Sequence, residues 1–205
     1  MSRPEYELLA QLRSSPAPKT ATTIRITEED EATGEVAQAY QHFRDQTGRQ
    51  DVPGILKCFA TTPEYARHMV DVSASLLFSD GSLTRAQKEL IATYISHLNA
   101  CPYCLDSHGF FLLVHGGDEE TVRRVAMGDL AGLGDAQKQL LLYLARVNGE
   151  SFRTTQSDVE KLREFGWSDE QIAEAVHVAT MMGLCNRVAN AFGLSSQGLL
   201  SLKRE

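Results

Sequence analysis

Apolar residues recur along most of this chain at the three- and four-residue spacing of amphipathic helices, and strand-like alternation is almost absent. Polar capping residues mark the helix starts, at Thr62-Pro63 and in the capping-box patterns Thr84–Gln87, Ser157–Glu160 and Ser168–Gln171. Glycines end the apolar segments, at Gly48, Gly116-Gly117, Gly149 and Gly166. The pattern predicts an all-α fold, with helices near residues 28–47, 63–78, 84–99, 101–115, 118–128, 135–148, 157–165 and 168–192.

The first 22 residues differ from the rest of the chain in composition. They include the run Ser14-Ser15-Pro16-Ala17-Pro18 and several threonines, and they offer little apolar surface to bury. We therefore predict that residues 1–22 form a flexible N-terminal arm, or a segment docked on a partner subunit. Residues 23–205 are predicted to form a single all-α domain.

The composition excludes several classes of protein. With 205 residues, 42% of them hydrophobic and 23% charged, the chain can bury one globular core. Twenty basic residues against 27 acidic ones give a net charge of −7, and no cluster of Lys and Arg is present, which argues against nucleic-acid binding. No apolar run of about 18 residues predicts a membrane span. The N-terminal residues do not read as a secretory signal, and four cysteines are too few for a disulfide scaffold, so we expect a cytoplasmic protein.

A shift of fifty residues overlays two segments of the chain. Leu83, Ala86, Gln87, Lys88 and Leu90 coincide with Leu133, Ala136, Gln137, Lys138 and Leu140. The match indicates an internal duplication, with one copy over about 83–130 and a second over about 133–180. The second copy lacks the reactive side chains of the first. Glu89, Cys101, Cys104 and His108 correspond to Gln139, Ser151, Thr154 and Asp158.

The candidate chemistry lies between Glu89 and His108. Pro102 suits the first turn of a helix, so both Cys101 and Cys104 are predicted at a helix N-terminus. The unpaired N–H groups and the dipole there stabilise a thiolate and can lower a cysteine pKa from roughly 8.5 into the range of about 3.5–7.5. His108 lies one helical turn after Cys104 and can exchange a proton with it, and Glu89 can orient the imidazole from the preceding helix.

The remaining cysteines and histidines carry weaker signals. Cys58 and Cys185 follow apolar residues and are interpreted as buried packing residues. His97 lies eight residues after Glu89 and is a candidate neighbour of the site, although a surface or core packing role is favoured for it. We assign His42, His68, His115 and His177 to packing, to the surface or to helix ends.

Two other functions also fit the cysteine pair. The first is a non-peroxidase thiol protein, either a disulfide reductase or a redox sensor. The second is a zinc site formed by Cys101, Cys104 and His108 with a fourth ligand such as Glu89, His97 or water.

Glu89 is followed by eleven residues, then by Cys101-x-x-Cys104, and after three more residues by His108. This spacing resembles the core of the alkylhydroperoxidase D-like (AhpD-like) proteins, within the carboxymuconolactone decarboxylase superfamily. The segments Val52–Gly54, Leu83–Glu89 and Asn186-Arg187 resemble its longer, peroxidase-related branch, and the likeness covers roughly residues 25–195. The resemblance implies an AhpD-like helical fold with an internal duplication, and homo-oligomers such as dimers, trimers or hexamers. It also implies thiol-dependent reduction of hydroperoxides without a bound cofactor, supported by an external dithiol such as a thioredoxin-like or lipoyl donor.

The resemblance also assigns roles to the site residues. Cys104 corresponds to the cysteine that attacks the peroxide, Cys101 to the resolving cysteine, His108 to the proton acceptor and Glu89 to the acid that completes the relay. Tyr103 stands where family members have a second histidine, and a phenol with a pKa near 10 is a poor base at neutral pH. From physical chemistry alone the order of the two cysteines stays open, because in thioredoxin-type motifs the first thiol usually attacks.

Overall fold

The computed structural model describes residues 4–12 and 21–201, and every regular element in these residues is helical. The α-helices are α1 (Pro4–Leu12), α2 (Gly34–Thr47), α3 (Gly54–Phe59), α4 (Pro63–Val72), α5 (Arg85–Leu98), α6 (Pro102–Val114), α7 (Glu119–Ala126), α8 (Asp135–Glu150), α9 (Gln156–Glu164) and α10 (Asp169–Phe192). A π-helical turn, Ser73–Leu77, extends α4, and 3-10 turns cover Ser151–Arg153 and Leu199–Ser201. The predicted all-α class is confirmed. In the described part of the chain, none of the helices has both the length and the apolar character needed to cross a membrane.

Two of the three predicted capping boxes are present in the structure. The Thr84 hydroxyl accepts from the Gln87 N–H and the Ser168 hydroxyl from the Gln171 N–H, so these two capping boxes are confirmed. The box predicted at Ser157 is wrong, because Thr155 caps α9 through Asp158.

Two predicted boundaries need correction, and one helix was not predicted. Gly149 lies inside α8, which ends at Glu150. The helix predicted over 28–47 begins only at Gly34, because the preceding acidic residues form ion pairs: Glu28 with Lys57, and Glu29 with Arg44. The six-residue α3 was not predicted, since it is too short to show a helical period.

Part of the predicted N-terminal arm is folded. Residues 4–12 form α1, and its Tyr6 and Leu9 are buried against Phe110, Phe111 and Leu199. This part of the arm is docked on α6 of its own chain, so the prediction of a flexible arm does not hold for it. Residues 1–3 and 13–20 of the predicted arm lie outside the described residues.

Helix α5 runs through the centre of the core, packed against α6, α7, α8 and α10. Even its Lys88 is buried, and its ammonium group is held by the carbonyls of Leu76 and Ser79 and by the Glu174 carboxylate. Helices α5 and α8 begin at Arg85 and Asp135, fifty positions apart, the same shift that overlays the two sequence segments. The duplication itself stays a prediction. The turn between α5 and α6 packs against α10 through Asn99, and the chain becomes buried again at Cys101.

Candidate functional site

The turn from α5 into α6 fixes the position of the cysteine motif. Ala100 adopts a left-handed conformation with φ of 47°, and the following Cys101 N–H donates to the Ser96 carbonyl at 3.0 Å. A non-glycine residue in this conformation costs on the order of 1 kcal/mol, so the surrounding contacts must hold the turn in place. The chain then enters α6 with Cys101 at the N-cap and Pro102 at the first helical position, which places Cys104 in the first turn.

A cavity of about 100 Å³ adjoins the motif. We call it the thiol cavity, because Cys104 and His108 are part of its lining and Cys101 is not. Most of the rest of its lining is apolar and aromatic, including Tyr6, Ile55, Phe59, Phe78, Phe111 and Met182. The cavity can therefore hold a small, largely apolar molecule next to Cys104.

Glu89 and His108 form a buried pair across the interface between α5 and α6. His108 Nδ1 lies 2.7 Å from Glu89 Oε2, and Glu89 is fully buried. This contact places the proton on Nδ1, so that Nε2 is the ring nitrogen available for proton exchange. Although burial by itself raises the pKa of Glu89, the charge and hydrogen bond of His108, together with Arg85, outweigh it and hold the pKa below its ordinary value. Glu89 is therefore an anion at neutral pH.

Arg85 was not recognised in the sequence as part of the site. Its Nε donates to Glu89 Oε1 at 2.7 Å, and its Nη2 lies 2.6 Å from the same oxygen. The guanidinium group lies over the rings of Phe78 and Phe111, with centroid distances of 4.7 and 5.9 Å. The carboxylate of Glu89 is thus shared between a cation on its own helix and the imidazole on α6.

The two thiols are hydrogen-bonded to each other and have different acidities. The hydrogen bond from Cys104, with smaller contributions from Asn186 and His108, outweighs burial and lowers the pKa of Cys101 from 9.0 to about 7. The same bond, together with burial, raises the pKa of Cys104 well above its ordinary value. Cys101 is therefore the more acidic of the two thiols, and Cys104 is the one that retains its proton more strongly. The more acidic thiol is thus not Cys104, the cysteine that the resemblance identifies as the attacking one.

Asn186 on α10 is a second residue missed in the sequence as part of the site. Its side chain is fully buried, and it lowers the pKa of both Cys101 and Cys104. It also bonds with Ser96 and Asn99 at the end of α5. Helix α10 begins within the second copy of the predicted duplication, and Asn186 lies in the part of α10 that runs beyond that copy.

Three further predicted residues are placed as follows. Tyr103 lines the thiol cavity, and its buried hydroxyl accepts the Ile55 N–H at 3.3 Å, which ties α6 to α3. Burial raises the pKa of Tyr103 above its ordinary value, so this side chain stays a neutral phenol. His97 does not line the cavity, and its Nδ1 lies 3.0 Å from the Ala126 carbonyl, against α7. Cys185, predicted as a packing residue, lines the thiol cavity, but burial raises its pKa to about 12.

The donor groups do not favour a metal. Within residues 4–12 and 21–201, no cluster of three or more His, Cys, Asp and Glu side chains has an arrangement that could hold a metal ion. The Glu89 carboxylate, one of the candidate fourth ligands, is already shared between His108 and Arg85. The alternative of a zinc site formed by Cys101, Cys104 and His108 is therefore not supported.

Comparisons with known proteins agree with the fold. Residues 63–146 match the model of the carboxymuconolactone decarboxylase family. A structure described as the alkylhydroperoxidase AhpD core, an uncharacterized peroxidase-related protein from Ralstonia eutropha JMP134, is similar with a TM-score of 0.76 and 26% identity, over 87% of this chain and 94% of that one. An uncharacterized peroxidase-related protein from Silicibacter sp. TM1040 is similar with a TM-score of 0.74 and 26% identity, over 86% and 92% of the two chains.

Two further matches are more distant or shorter. The debrominase Bmp8 shares the fold, with a TM-score of 0.66 and 14% identity, over 90% of this chain and 95% of that one. A stretch of 35 residues is 37% identical to uncharacterized protein 4 in the cox locus of Paracoccus denitrificans. That match spans 17% of this chain and 32% of the relative, so it covers only about a third of that protein.

These findings define the chain as an all-α protein with the AhpD-like fold. Residues 63–146, which hold the whole cysteine motif, match the model of the carboxymuconolactone decarboxylase family. The resemblance inferred from Glu89, Cys101, Cys104 and His108 is thereby confirmed.

Proposed function

We propose that the chain is a thiol-dependent peroxidase that reduces hydroperoxides through a dithiol–disulfide cycle of Cys101 and Cys104. The observation that carries this proposal is that Cys104 and His108 line one apolar cavity, while Glu89 holds His108 through Nδ1. A nucleophile, a proton carrier and space for a substrate thus meet at one place. The similarity to peroxidase-related proteins supports the same class of reaction.

Proton movement prepares the nucleophile. Starting from the dithiol, His108 accepts one proton at Nε2, and the other stays shared between the two sulfurs. At rest this shared proton lies on Cys104, because Cys101 has the lower pKa. When a hydroperoxide occupies the thiol cavity, the proton passes along the hydrogen bond to Cys101. Cys104, which faces the cavity, then becomes the attacking thiolate.

The oxidation proceeds by two displacements. Cys104 attacks the distal oxygen of the hydroperoxide, forming an S–O bond and breaking the O–O bond, and becomes a sulfenic acid. The alkoxide leaves with the electron pair and takes the proton of His108, so that it departs as an alcohol. Cys101 next gives up its proton and attacks the sulfenic sulfur, and hydroxide leaves with that proton as water. The product is the Cys101–Cys104 disulfide.

An external dithiol must then reduce this disulfide through a mixed disulfide. Cys101 and Cys104 are only 1% and 3% exposed, so a reductant must bring its sulfur into the thiol cavity. A small dithiol such as a lipoyl group on a flexible arm meets this requirement more readily than a folded thioredoxin-like protein. We retain the expectations of no bound cofactor, a cytoplasmic location and a homo-oligomer as parts of the proposal.

Steady-state peroxide reduction tests the proposed function. The assay uses cumene hydroperoxide and hydrogen peroxide with dihydrolipoamide, reduced thioredoxin and glutathione as donors, and Cys104→Ser as the inactive control. Turnover with dihydrolipoamide that is lost in Cys104→Ser supports the proposal. Disulfide formation with peroxide, but no turnover with any donor, would instead favour a redox-sensing protein. Absence of both reactions would refute the peroxidase assignment.

The lining of the thiol cavity also favours a second candidate, reductive dehalogenation of a small aromatic compound. Phe59, Phe78 and Phe111 line the cavity near Cys104 and give it aromatic surface against which a flat ring can pack. In this reaction the Cys104 thiolate attacks the halogen, which forms an S–halogen bond and breaks the carbon–halogen bond. The ring carbon keeps the electron pair of the broken bond and accepts the proton of His108. Cys101 then displaces halide to form the disulfide. Release of bromide from 2,3,4-tribromopyrrole, measured with the same donors, distinguishes this activity from peroxide reduction.

A further inference from the structure

Arg49 is part of the lining of the thiol cavity, although the wall around it is largely apolar. The whole residue is only 7% exposed. Among the described residues that line the cavity, Arg49 is the one Arg or Lys, and none is Asp or Glu. The cavity thus offers apolar surface and a permanent cation, but no acidic side chain, to a molecule bound beside Cys104.

The end of α2 fixes the backbone from which the Arg49 side chain extends. Helix α2 is followed by Gly48, whose φ of 72° is left-handed, and the Arg49 N–H donates to the Thr47 hydroxyl at 3.2 Å. The Thr47 hydroxyl donates in turn to the Phe43 carbonyl at 2.7 Å, inside the helix. These bonds tie Arg49 to the last turn of α2, so its position relative to the cavity is defined by the fold.

The guanidinium group of Arg49 is held along one edge and on one face. Its Nε donates to Asp51 Oδ1 at 2.8 Å, and its Nη2 donates to Asp51 Oδ2. Its central carbon lies over the ring of Tyr6, 5.4 Å from the centroid. Asp51 is not part of the cavity lining, and its two bonds leave Nη1 outside the ion pair. A guanidinium fixed in this way loses little conformational entropy when Nη1 binds a further acceptor.

The ion pair with Asp51 does not fully cancel the charge of Arg49 within the cavity. The Asp51 side chain is 37% exposed and that of Arg49 is 7% exposed, so water screens the carboxylate more than the guanidinium. Tyr103 adds a second donor, because its oxygen accepts the Ile55 N–H and its hydroxyl hydrogen can bond elsewhere. Positive charge and hydrogen-bond donors on an apolar wall are complementary to a carboxylate on an apolar body.

We propose that Arg49 is a specificity-determining residue, and that the substrate of the thiol cavity is a small hydroperoxide whose apolar body carries a carboxylate group. The aromatic lining packs against the body, Arg49 Nη1 binds the carboxylate, and Cys104 attacks the hydroperoxide group in the same cavity. This inference rests on the proposed function only for the hydroperoxide group. Recognition of an apolar carboxylate is a property of the cavity and can be measured without any oxidation.

Binding of benzoate to the reduced full-length protein at neutral pH tests this recognition, with benzamide as the neutral ligand of the same shape. Calorimetry gives the two Kd values, and slower alkylation of Cys101 and Cys104 by iodoacetamide locates the ligand in the thiol cavity. We expect benzoate to bind roughly tenfold more tightly than benzamide, the effect of one charge-assisted hydrogen bond. Arg49→Gln should abolish this preference, and Arg49→Lys should keep part of it. The matched control is Arg123→Gln, since Arg123 pairs with Glu120 through the same two nitrogens on the surface.

Each outcome of these measurements supports or overturns the proposal. Equal affinity for benzoate and benzamide, or benzoate binding that leaves alkylation unchanged, would overturn it without the need for any variant. A preference that persists in Arg49→Gln, or that is lost equally in Arg123→Gln, would also overturn it. Loss of the preference in Arg49→Gln alone, with the helices retained by circular dichroism, supports it.

Turnover then separates this proposal from the peroxidase assignment. Cumene hydroperoxide is compared with the same compound carrying a para-carboxylate, and kcat/KM should be roughly tenfold higher for the carboxylate. Arg49→Gln should remove most of this difference. Preferential binding of benzoate without turnover of either hydroperoxide would support the specificity of the cavity and refute the peroxidase assignment. Turnover of both hydroperoxides at equal rates would do the reverse.

Discussion

His108 Nδ1 lies 2.7 Å from Glu89 Oε2, and this contact joins α6 to α5 inside the core. Because the carboxylate accepts the Nδ1 proton, Nε2 is the nitrogen that can accept and return a proton beside the thiols. Arg85, bound to the other oxygen of Glu89, helps to keep that carboxylate ionised. Glu89 and Arg85 do not line the thiol cavity. They influence the proton exchange at the thiols through His108.

Substituting Glu89 with Gln should impair turnover without unfolding the protein. Glutamine keeps the shape of the side chain but removes the charge that stabilises the protonated imidazole, so we expect kcat/KM for the hydroperoxide to fall by roughly 100-fold. Circular dichroism would verify that the helices are retained. Glu120→Gln, on the exposed face of α7, is the matched control and should keep full activity. A rate within threefold of the unmodified protein in Glu89→Gln would argue against the relay.

Arg85→Met should change how the stability of the protein depends on pH. The pKa of Glu89 lies below 4.5 in the folded protein, so the stabilisation that ionised Glu89 gives to the fold is fully present above pH 4.5. This stabilisation is lost as the pH falls through the folded-state pKa. Without Arg85 the pKa of Glu89 rises, and this loss should begin at a higher pH. Thermal unfolding measured between about pH 3 and pH 7 checks the shift. Identical pH profiles for the two proteins would contradict this account of the ion pair.

The pH dependence of thiol reactivity should show a single group near neutrality. The pKa of Cys101 is about 7, whereas those of Cys58 and Cys185 are about 12. Alkylation should therefore rise with a midpoint close to pH 7, and mass spectrometry should find the adduct within the motif rather than on Cys58 or Cys185. A midpoint near 9, the ordinary value, would show that neither Cys104 nor Asn186 stabilises the thiolate.

Asp106 should be important for holding the C-terminal segment. Its carboxylate accepts the backbone N–H groups of Gln197, Leu199 and Leu200 at 2.9, 3.0 and 2.9 Å. Asp106→Ala should lower the free energy of unfolding by about 2 kcal/mol, because three bonds to a charged acceptor are lost. A decrease of about 5 °C in Tm corresponds to such a change. Asp45→Ala, at an exposed position of α2, serves as the control and should leave Tm unchanged.

The sequence predicted the central parts of this site because their signals are local. Cys101, Cys104 and His108 lie within eight positions, and Glu89 lies on the helix that precedes them, so spacing and helical geometry suffice. Arg85 could also have been found, since it lies one turn before Glu89 on the same helix. Asn186 could not, because it is 82 positions beyond Cys104 and its role depends on how α10 packs against α5. For the same reason the sequence did not show that Cys185 lines the cavity.

The helices, too, were predicted well where the signal is local and less well where the structure depends on distant contacts. The strongly periodic α5 and α10 were predicted within two residues of their bounds, whereas the short α3 and the capped start of α9 were missed. The start of α2 was misplaced because Glu28 and Glu29 pair with residues far along the chain rather than continuing a helix. Tertiary contacts override local propensity at these positions.

The central claim, that Cys104 is the thiol that attacks the hydroperoxide, is tested most directly by trapping the sulfenic acid. Each of the variants Cys101→Ser and Cys104→Ser is treated with cumene hydroperoxide in the presence of dimedone, and the adducts are located by mass spectrometry. The account predicts an adduct on Cys104 in Cys101→Ser and none on Cys101 in Cys104→Ser. An adduct on Cys101 in Cys104→Ser, with none in Cys101→Ser, would contradict it and reverse the roles of the two cysteines.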